Sequence, residues 1–121
     1  MKFIEPEKSI LGFEDVISYG RQLLDRLSPE LTYHCKEHSE TVLKFIEDFI
    51  KQDFNPKTLS EEDGLALRIA AIFHDTGFLE CYTHNEGIAV AYAMYAIDKL
   101  PKEKFSKVVD INDLKVRVSN L

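Results

Sequence analysis

The sequence predicts an all-α fold, a single bundle of about five helices. Between sparse turn signals such as Pro29, Pro56 and Pro101, apolar side chains recur at intervals of three and four residues, which is the helical period. Strand patterns are rare: residues 114–118 alternate between apolar and basic side chains, but no second segment offers a partner strand. With 121 residues, the chain has single-domain length and can bury an apolar core without disulfides or a structural metal.

The first two helices are predicted by their apolar stripes. The first covers residues 13–27 and ends where Ser28 and Pro29 break the helical pattern. The second covers residues 33–52, and its apolar residues recur at the spacing that a core-facing helix requires. The face of the second helix that is expected to be buried carries Val42, Phe45, Ile46, Phe49 and Ile50.

The third and fourth helices are predicted from their caps as well as from periodicity. Ser60 is a favourable N-cap, and the three acidic residues after it suit the positive end of a helix dipole. The third helix then crosses the most apolar stretch of the chain, so it is expected to be the most buried helix and to end at Gly77. The fourth is expected to begin near Thr83, with Glu86 completing a capping box.

The C-terminal region has weaker signals. Pro101 suits the first turn of a short fifth helix. Beyond it, residues 110–121 form a tail to which the pattern assigns no element. Residues 99–121 carry six basic and three acidic side chains, which we interpret as a solvated terminal segment, with a patch for a partner as the alternative.

Composition and charge exclude several classes of protein. The net charge of −6 makes general binding to nucleic acid or to an anionic membrane unfavourable. No apolar run approaches the roughly 18–20 residues of a membrane-spanning helix, and the first residues lack the apolar core of a signal peptide. The chain is therefore expected to be cytoplasmic, with Cys35 and Cys81 as free thiols.

Histidines and one aspartate are the candidate chemical groups. His34 and His38 lie four residues apart and therefore share a helix face, the one expected to be buried. His74 and Asp75 end the most apolar helix, where an imidazole and an ionised carboxylate are costly unless they are paired or bound to a cation. Their nitrogen and oxygen donors suit Mn, Fe, Co, Ni, Zn or Mg. When each pair is considered by itself, it has a structural alternative. His34 and His38 would be hydrogen-bonded core histidines, and His74 and Asp75 would form a capping turn.

The order of these groups along the chain resembles a known family. Residues 33–42 contain the pattern H-[ST]-x-x-V, residues 70–78 contain A-A-x-x-H-D-x-G, and residues 84–89 begin with a further histidine, His84. This arrangement, which spans about residues 13–109, resembles the HD-domain superfamily of metal-dependent phosphohydrolases. The resemblance implies a helical bundle that holds a divalent metal ion. It also implies hydrolysis of a small phosphate ester, nucleotide-like in character, by metal-activated water.

The resemblance further implies roles for individual residues. His38, His74 and Asp75 would hold the metal ion, and Asp75 would also orient or deprotonate the attacking water. His84 would act in catalysis beside this ion, on a second metal ion or on the substrate phosphate. His34 would face the phosphate or support a metal ligand.

This sequence departs from the family pattern at two points. Asn85 stands where the family usually has glutamate. The family's fourth ligand is a later aspartate, and after His84 only Asp98, Asp110 and Asp113 are candidates. Asp98 would lie about 20 Å from His84 along the fourth helix, and the other two lack the family's usual sequence context. The open explanations are that the chain is truncated, that the site is degenerate, or that another residue or a partner chain completes the ligand shell of the metal ion.

Two other functions stay open on the sequence alone. A non-catalytic HD-like domain would keep the scaffold to bind a nucleotide or a protein partner, and the missing fourth ligand favours it. A di-iron oxygenase would use the same scaffold for oxidation. A shortened bundle would also leave apolar surface exposed, so association into a homo-oligomer is a further expectation.

Overall fold

A computed structural model describes residues 2–28, 30, 36–51, 60–79, 85–105 and 110–120. Within these ranges every regular element is helical and no strand occurs, which confirms the predicted all-α bundle. The elements are α1 (Phe13–Asp25), α2 (Glu37–Lys51), α3 (Glu61–Phe73), a 3-10 turn (Thr76–Leu79), α4 (Glu86–Asp98), the short α5 (Lys102–Phe105) and α6 (Ile111–Ser119). Among these helices, none combines the length and the apolar character that crossing a bilayer requires.

Helix α3 lies at the centre of the bundle, as its apolar sequence predicts. It contacts α1, α2, α4 and α6, and Ile69, Ile72 and Phe73 are buried within it. The crossing with α1 is very close at Gly20, where an added Cβ would lie 2.1 Å from Ile72 Cγ2. Glycine at this position therefore sets how closely the two helices approach.

The ends of α3 differ in how well the sequence predicts them. Ser60 caps the start, because its Oγ accepts a hydrogen bond from the Asp63 backbone N–H at 3.1 Å. The helix ends at Phe73 rather than at the predicted Gly77. Thr76 Oγ1 donates to the Phe73 carbonyl at 2.7 Å, and the chain tightens into the 3-10 turn. The two residues directly after α3 therefore lie in a turn and not inside the helix.

The predicted buried face of α2 is confirmed only in part, because Val42 and Ile46 pack against the core but two of its phenylalanines do not. Its fully buried residues are Ser39 and Leu43, whereas Phe45 and Phe49 are 74% and 59% exposed. The prediction that these two phenylalanines face the core was wrong. Apolar residues occupy a wide part of the helix circumference, so periodicity alone does not select the edge that packs on α3. His38, seven residues before Phe45, lies on the same exposed side and not on a buried face.

The C-terminal tail contains a helix that packs on the core, so the expectation of a solvated terminal segment was wrong for residues 111–119. Asp110 caps α6 by accepting a hydrogen bond from the Asp113 backbone N–H at 3.1 Å. Ile111, Leu114 and Val118 are buried, and α6 contacts α3 and α4. These three residues are spaced three and four apart, a helical period that the shorter alternating pattern concealed.

Other predicted bounds agree with the structure to within a few residues where the structure describes them. Helix α1 ends at Asp25, two residues before the predicted end. Residues 33–35 and 52, at the two ends of the predicted second helix, lie outside the described ranges, and so do Cys81 and Thr83. The capping box expected at Thr83 therefore stays a prediction, and the described part of α4 begins at Glu86.

Candidate metal centre

His38 and His74 come together where the start of α2 meets the end of α3. Their ring centroids lie 5.5 Å apart, and the ring planes are inclined by 74°. Two imidazoles on one ion have centroids roughly 5 Å apart, because metal–nitrogen distances are about 2.0–2.1 Å. The separation of the two rings therefore fits a shared metal ion.

The His74 imidazole is held through its Nδ1 atom. Nδ1 lies 2.6 Å from the Ala71 carbonyl oxygen, and since a carbonyl can only accept, Nδ1 carries a proton and donates it. In the neutral ring, Nε2 is then the nitrogen with the free lone pair. Metal-binding histidines are commonly oriented in this way, with the second ring nitrogen donating to a backbone carbonyl.

Asp75 faces that second nitrogen of His74. Its Oδ2 lies 3.1 Å from His74 Nε2. A carboxylate oxygen and an unprotonated ring nitrogen are both acceptors, so this contact is favourable only with a positive group between them. That group is either a proton on Nε2 or a metal ion. Of the contacts in the described ranges, this one is the best suited to hold a cation.

The pair is electrostatically coupled. The hydrogen bond to Asp75 raises the pKa of His74, partial burial of the ring opposes that shift, and donation to the Ala71 carbonyl adds to it. The His74 side chain is 39% exposed and that of Asp75 is 18% exposed. A metal ion entering from solvent would compete with a proton for the same two atoms.

A close contact after Asp75 determines where the turn lies. An added Cβ at Gly77 would lie 2.1 Å from the Asn85 carbonyl oxygen, so the 3-10 turn packs directly on the start of α4. The sequence predicts Gly77 as a helix C-terminus, but its role in the structure is this close approach. The His–Asp turn and the first turn of α4 are therefore neighbours.

Asp98 lies away from the candidate centre. Its Oδ1 accepts a hydrogen bond from Lys115 Nζ at 2.7 Å, at the far end of α4. Thirteen residues of helix separate Asp98 from Asn85, and this corresponds to about 20 Å along the helix axis. His34 and His84, the two residues expected to face the substrate, lie outside the described ranges.

Asp110 and Asp113 also lie away from the candidate centre. The Asp110 backbone N–H donates to Glu62 Oε1 at 3.3 Å, and Asp113 pairs with Arg117, which also pairs with Asp63 at the start of α3. His74 follows the other end of that helix, about 16 Å along its axis. None of the three later aspartates is therefore placed as the family's fourth ligand would be.

The contacts at the candidate centre are pairwise. His38 approaches His74, and His74 approaches Asp75. Across the part of the chain that the structure describes, no three histidine, cysteine, aspartate or glutamate side chains form a ready ligand set. A metal site here needs further donors, from water, from the two histidines outside the described ranges or from another chain.

Sequence reasoning missed two residues near this centre. Ser39, beside His38, is fully buried, and its Oγ has no hydrogen-bond partner among the described residues. Glu86, expected only as a capping residue, lines the same pocket as His74. The signal for Ser39 was its spacing of four residues from Leu43, on the edge of α2 that packs on the bundle.

Comparison with known proteins adds no relative: no family model, no curated protein and no solved structure matches this chain.

Proposed function

We propose that this chain is a metal-dependent hydrolase of phosphate esters, with His38, His74 and Asp75 holding a divalent metal ion. The observation that carries the proposal is the contact between His74 Nε2 and Asp75 Oδ2, which calls for a cation between two acceptors. His38 is the nearest additional imidazole described, with its ring centroid 5.5 Å from that of His74. Nucleotide-like substrates and a cytoplasmic location stay predictions of the sequence.

Each residue has a separate task in this proposal. His74 donates its Nδ1–H to Ala71, which keeps the Nε2 lone pair directed towards Asp75. Asp75 serves as a ligand and accepts a proton from the attacking water. When bound, the ion polarises a phosphoryl oxygen and lowers the pKa of water. His34 and His84 are proposed, by resemblance to the HD-domain superfamily, to contact the substrate phosphate.

The test is the double substitution His74→Ala, Asp75→Ala. Metal content is measured by elemental analysis, and turnover is measured with 4-nitrophenyl phosphate. We expect loss of both, with the melting temperature of the metal-free protein nearly unchanged, because neither side chain belongs to the buried core. The matched control is Asp98→Ala, which breaks a distant ion pair with Lys115 and should retain both metal and turnover.

Metal uptake by the double variant at the wild-type level would show that the site lies elsewhere. Turnover that persists in the double variant without metal would overturn the hydrolytic mechanism. If the wild-type protein binds no divalent ion and hydrolyses no ester, the hydrolase proposal is rejected and the second candidate function is favoured.

That second candidate is a non-catalytic HD-like domain that binds a nucleotide or a protein partner. The observation that favours it is the position of the later aspartates, which lie far from His74 in the bundle. Stoichiometric metal together with turnover of an aryl phosphate would contradict it.

A further inference from the structure

A pocket of about 140 Å³ lies between α3, α4 and α6, beside the candidate metal centre. Most of its lining is apolar. The apolar lining consists of Ala70 and Phe73 from α3, Ala89, Val90 and Ala93 from α4, and Val118 from α6. The pocket exists because small side chains occupy positions where three helices meet.

The spacing of the lining residues places them on single helix faces. Ala89 and Ala93 are one turn apart on α4, and Ala70 lies one turn before His74 on the α3 side. Alanine at these positions leaves space that a leucine would fill. Val118 closes the pocket from α6, the helix that the sequence did not predict.

The polar groups of the pocket lie at one end. Among the described residues that line it, only His74 and Glu86 carry hydrogen-bonding side chains. His74 directly follows α3, and Glu86 is the first residue of α4, whereas Ala93 lies about 10 Å further along α4. The pocket is therefore polar next to the candidate metal centre and apolar at its other end.

We propose that this pocket binds the organic group of the phosphate ester, and that this group is a compact, uncharged hydrocarbon close to a benzene ring in size. The inference rests on the proposed function, because it places the phosphate at His74. The size follows from the volume, since a cavity of roughly 150 Å³ lined by apolar side chains accommodates benzene.

The described lining disfavours a nucleoside in the same pocket. Beyond His74 and Glu86, the described residues of the lining offer no side-chain partner for the polar groups of a base or a ribose, and burial of unpaired polar groups is costly. The pocket thus points away from the nucleotide-like substrate that the sequence resemblance implies.

The first test compares three esters on the Mn²⁺-loaded wild-type protein: benzyl phosphate, methyl phosphate and thymidine monophosphate. We expect kcat/KM for benzyl phosphate to exceed that for methyl phosphate by about tenfold or more, as hydrocarbon groups in apolar pockets commonly achieve. Thymidine monophosphate as the preferred ester, or equal values for benzyl and methyl phosphate, would overturn the inference.

The second test fills the pocket with Ala93→Leu. We expect kcat/KM for benzyl phosphate to fall by about tenfold or more while that for methyl phosphate is unchanged, because only the larger group needs the space. The control is Ala91→Leu, on the same helix but outside the lining. An equal effect on both esters, or none on either, would contradict the assignment.

A binding measurement separates this inference from the proposed function. Benzyl alcohol is titrated into metal-free wild-type protein with labelled alanine methyls, and NMR shifts are followed at Ala70, Ala89 and Ala93. Shifts at these methyls in a protein that hydrolyses no ester would retain the pocket as a hydrocarbon site and reject the hydrolase. An absence of shifts at these methyls would overturn the pocket assignment, whatever the activity.

Discussion

At the scale of single residues, the His74 imidazole is held at both ring nitrogens. The Ala71 carbonyl accepts from Nδ1, and Asp75 faces Nε2. The sequence indicated His74 and Asp75 as a pair, because an imidazole and a carboxylate at the end of an apolar helix need a partner. It did not indicate which ring nitrogen faces Asp75, since that depends on a backbone carbonyl three residues earlier.

Replacing Asp75 by asparagine should lower the pKa of His74 in the metal-free protein, because the hydrogen bond that His74 donates to Asp75 is the main cause of the raised value. In the wild type, the pair stabilises the fold below the unfolded-state pKa of about 6.5, and this contribution is lost as the pH rises through the raised pKa of His74. NMR titration of the His74 ring measures the shift directly. Asp98→Asn is the control, and a His74 pKa that is equal in wild type and Asp75→Asn would disprove the coupling.

At the scale of helices, close approaches and buried faces were decided by packing. Gly20 lets α1 approach α3, and Gly77 lets the 3-10 turn approach α4. Neither role is visible in the apolar pattern, which reports periodicity but not the distance between helices. For the same reason, the pattern of α2 did not reveal that Phe45 and Phe49 face outwards.

Gly20→Ala should destabilise the fold by about 1–3 kcal/mol, because the new methyl would overlap Ile72 Cγ2, a branch next to the backbone that has little freedom to move. Gly87→Ala is the matched control: an added Cβ there meets nothing within 4 Å, so it should be neutral or stabilising by up to about 1 kcal/mol. Midpoints of urea unfolding at constant m-value measure both changes. Equal stability of Gly20→Ala and wild type would mean that the crossing is looser than described.

At the scale of the whole molecule, the bundle is held together independently of the candidate metal centre. The core is continuous through α1, α3, α4 and α6, with residues such as Leu23, Tyr92 and Leu114 fully buried. In the N-terminal segment, Phe3 stacks on Tyr95 with ring centroids 4.3 Å apart. His38 and His74 belong to the exposed surface, so the fold should persist without metal.

Divalent metal should therefore raise the melting temperature of a protein that is already folded. Ligand at one hundred times its dissociation constant adds about 2.7 kcal/mol to the stability of the native state. Scanning calorimetry should show that Mn²⁺ or Zn²⁺ raises the melting temperature of the wild type and that a chelator reverses this rise. The His74→Ala, Asp75→Ala protein should show none, and an equal rise in both proteins would place the metal at another site.

The sequence by itself determined the helical class, the N-cap at Ser60, the central position of α3 and the pairing of His74 with Asp75. Each of these depends on neighbours within one or two helical turns, and local periodicity and capping report such neighbours. Only the tertiary structure decided which edge of α2 is buried, that α6 packs on the core, and that the later aspartates lie far from His74. It also revealed the apolar pocket beside His74, because a pocket is space left between helices and no single segment encodes it.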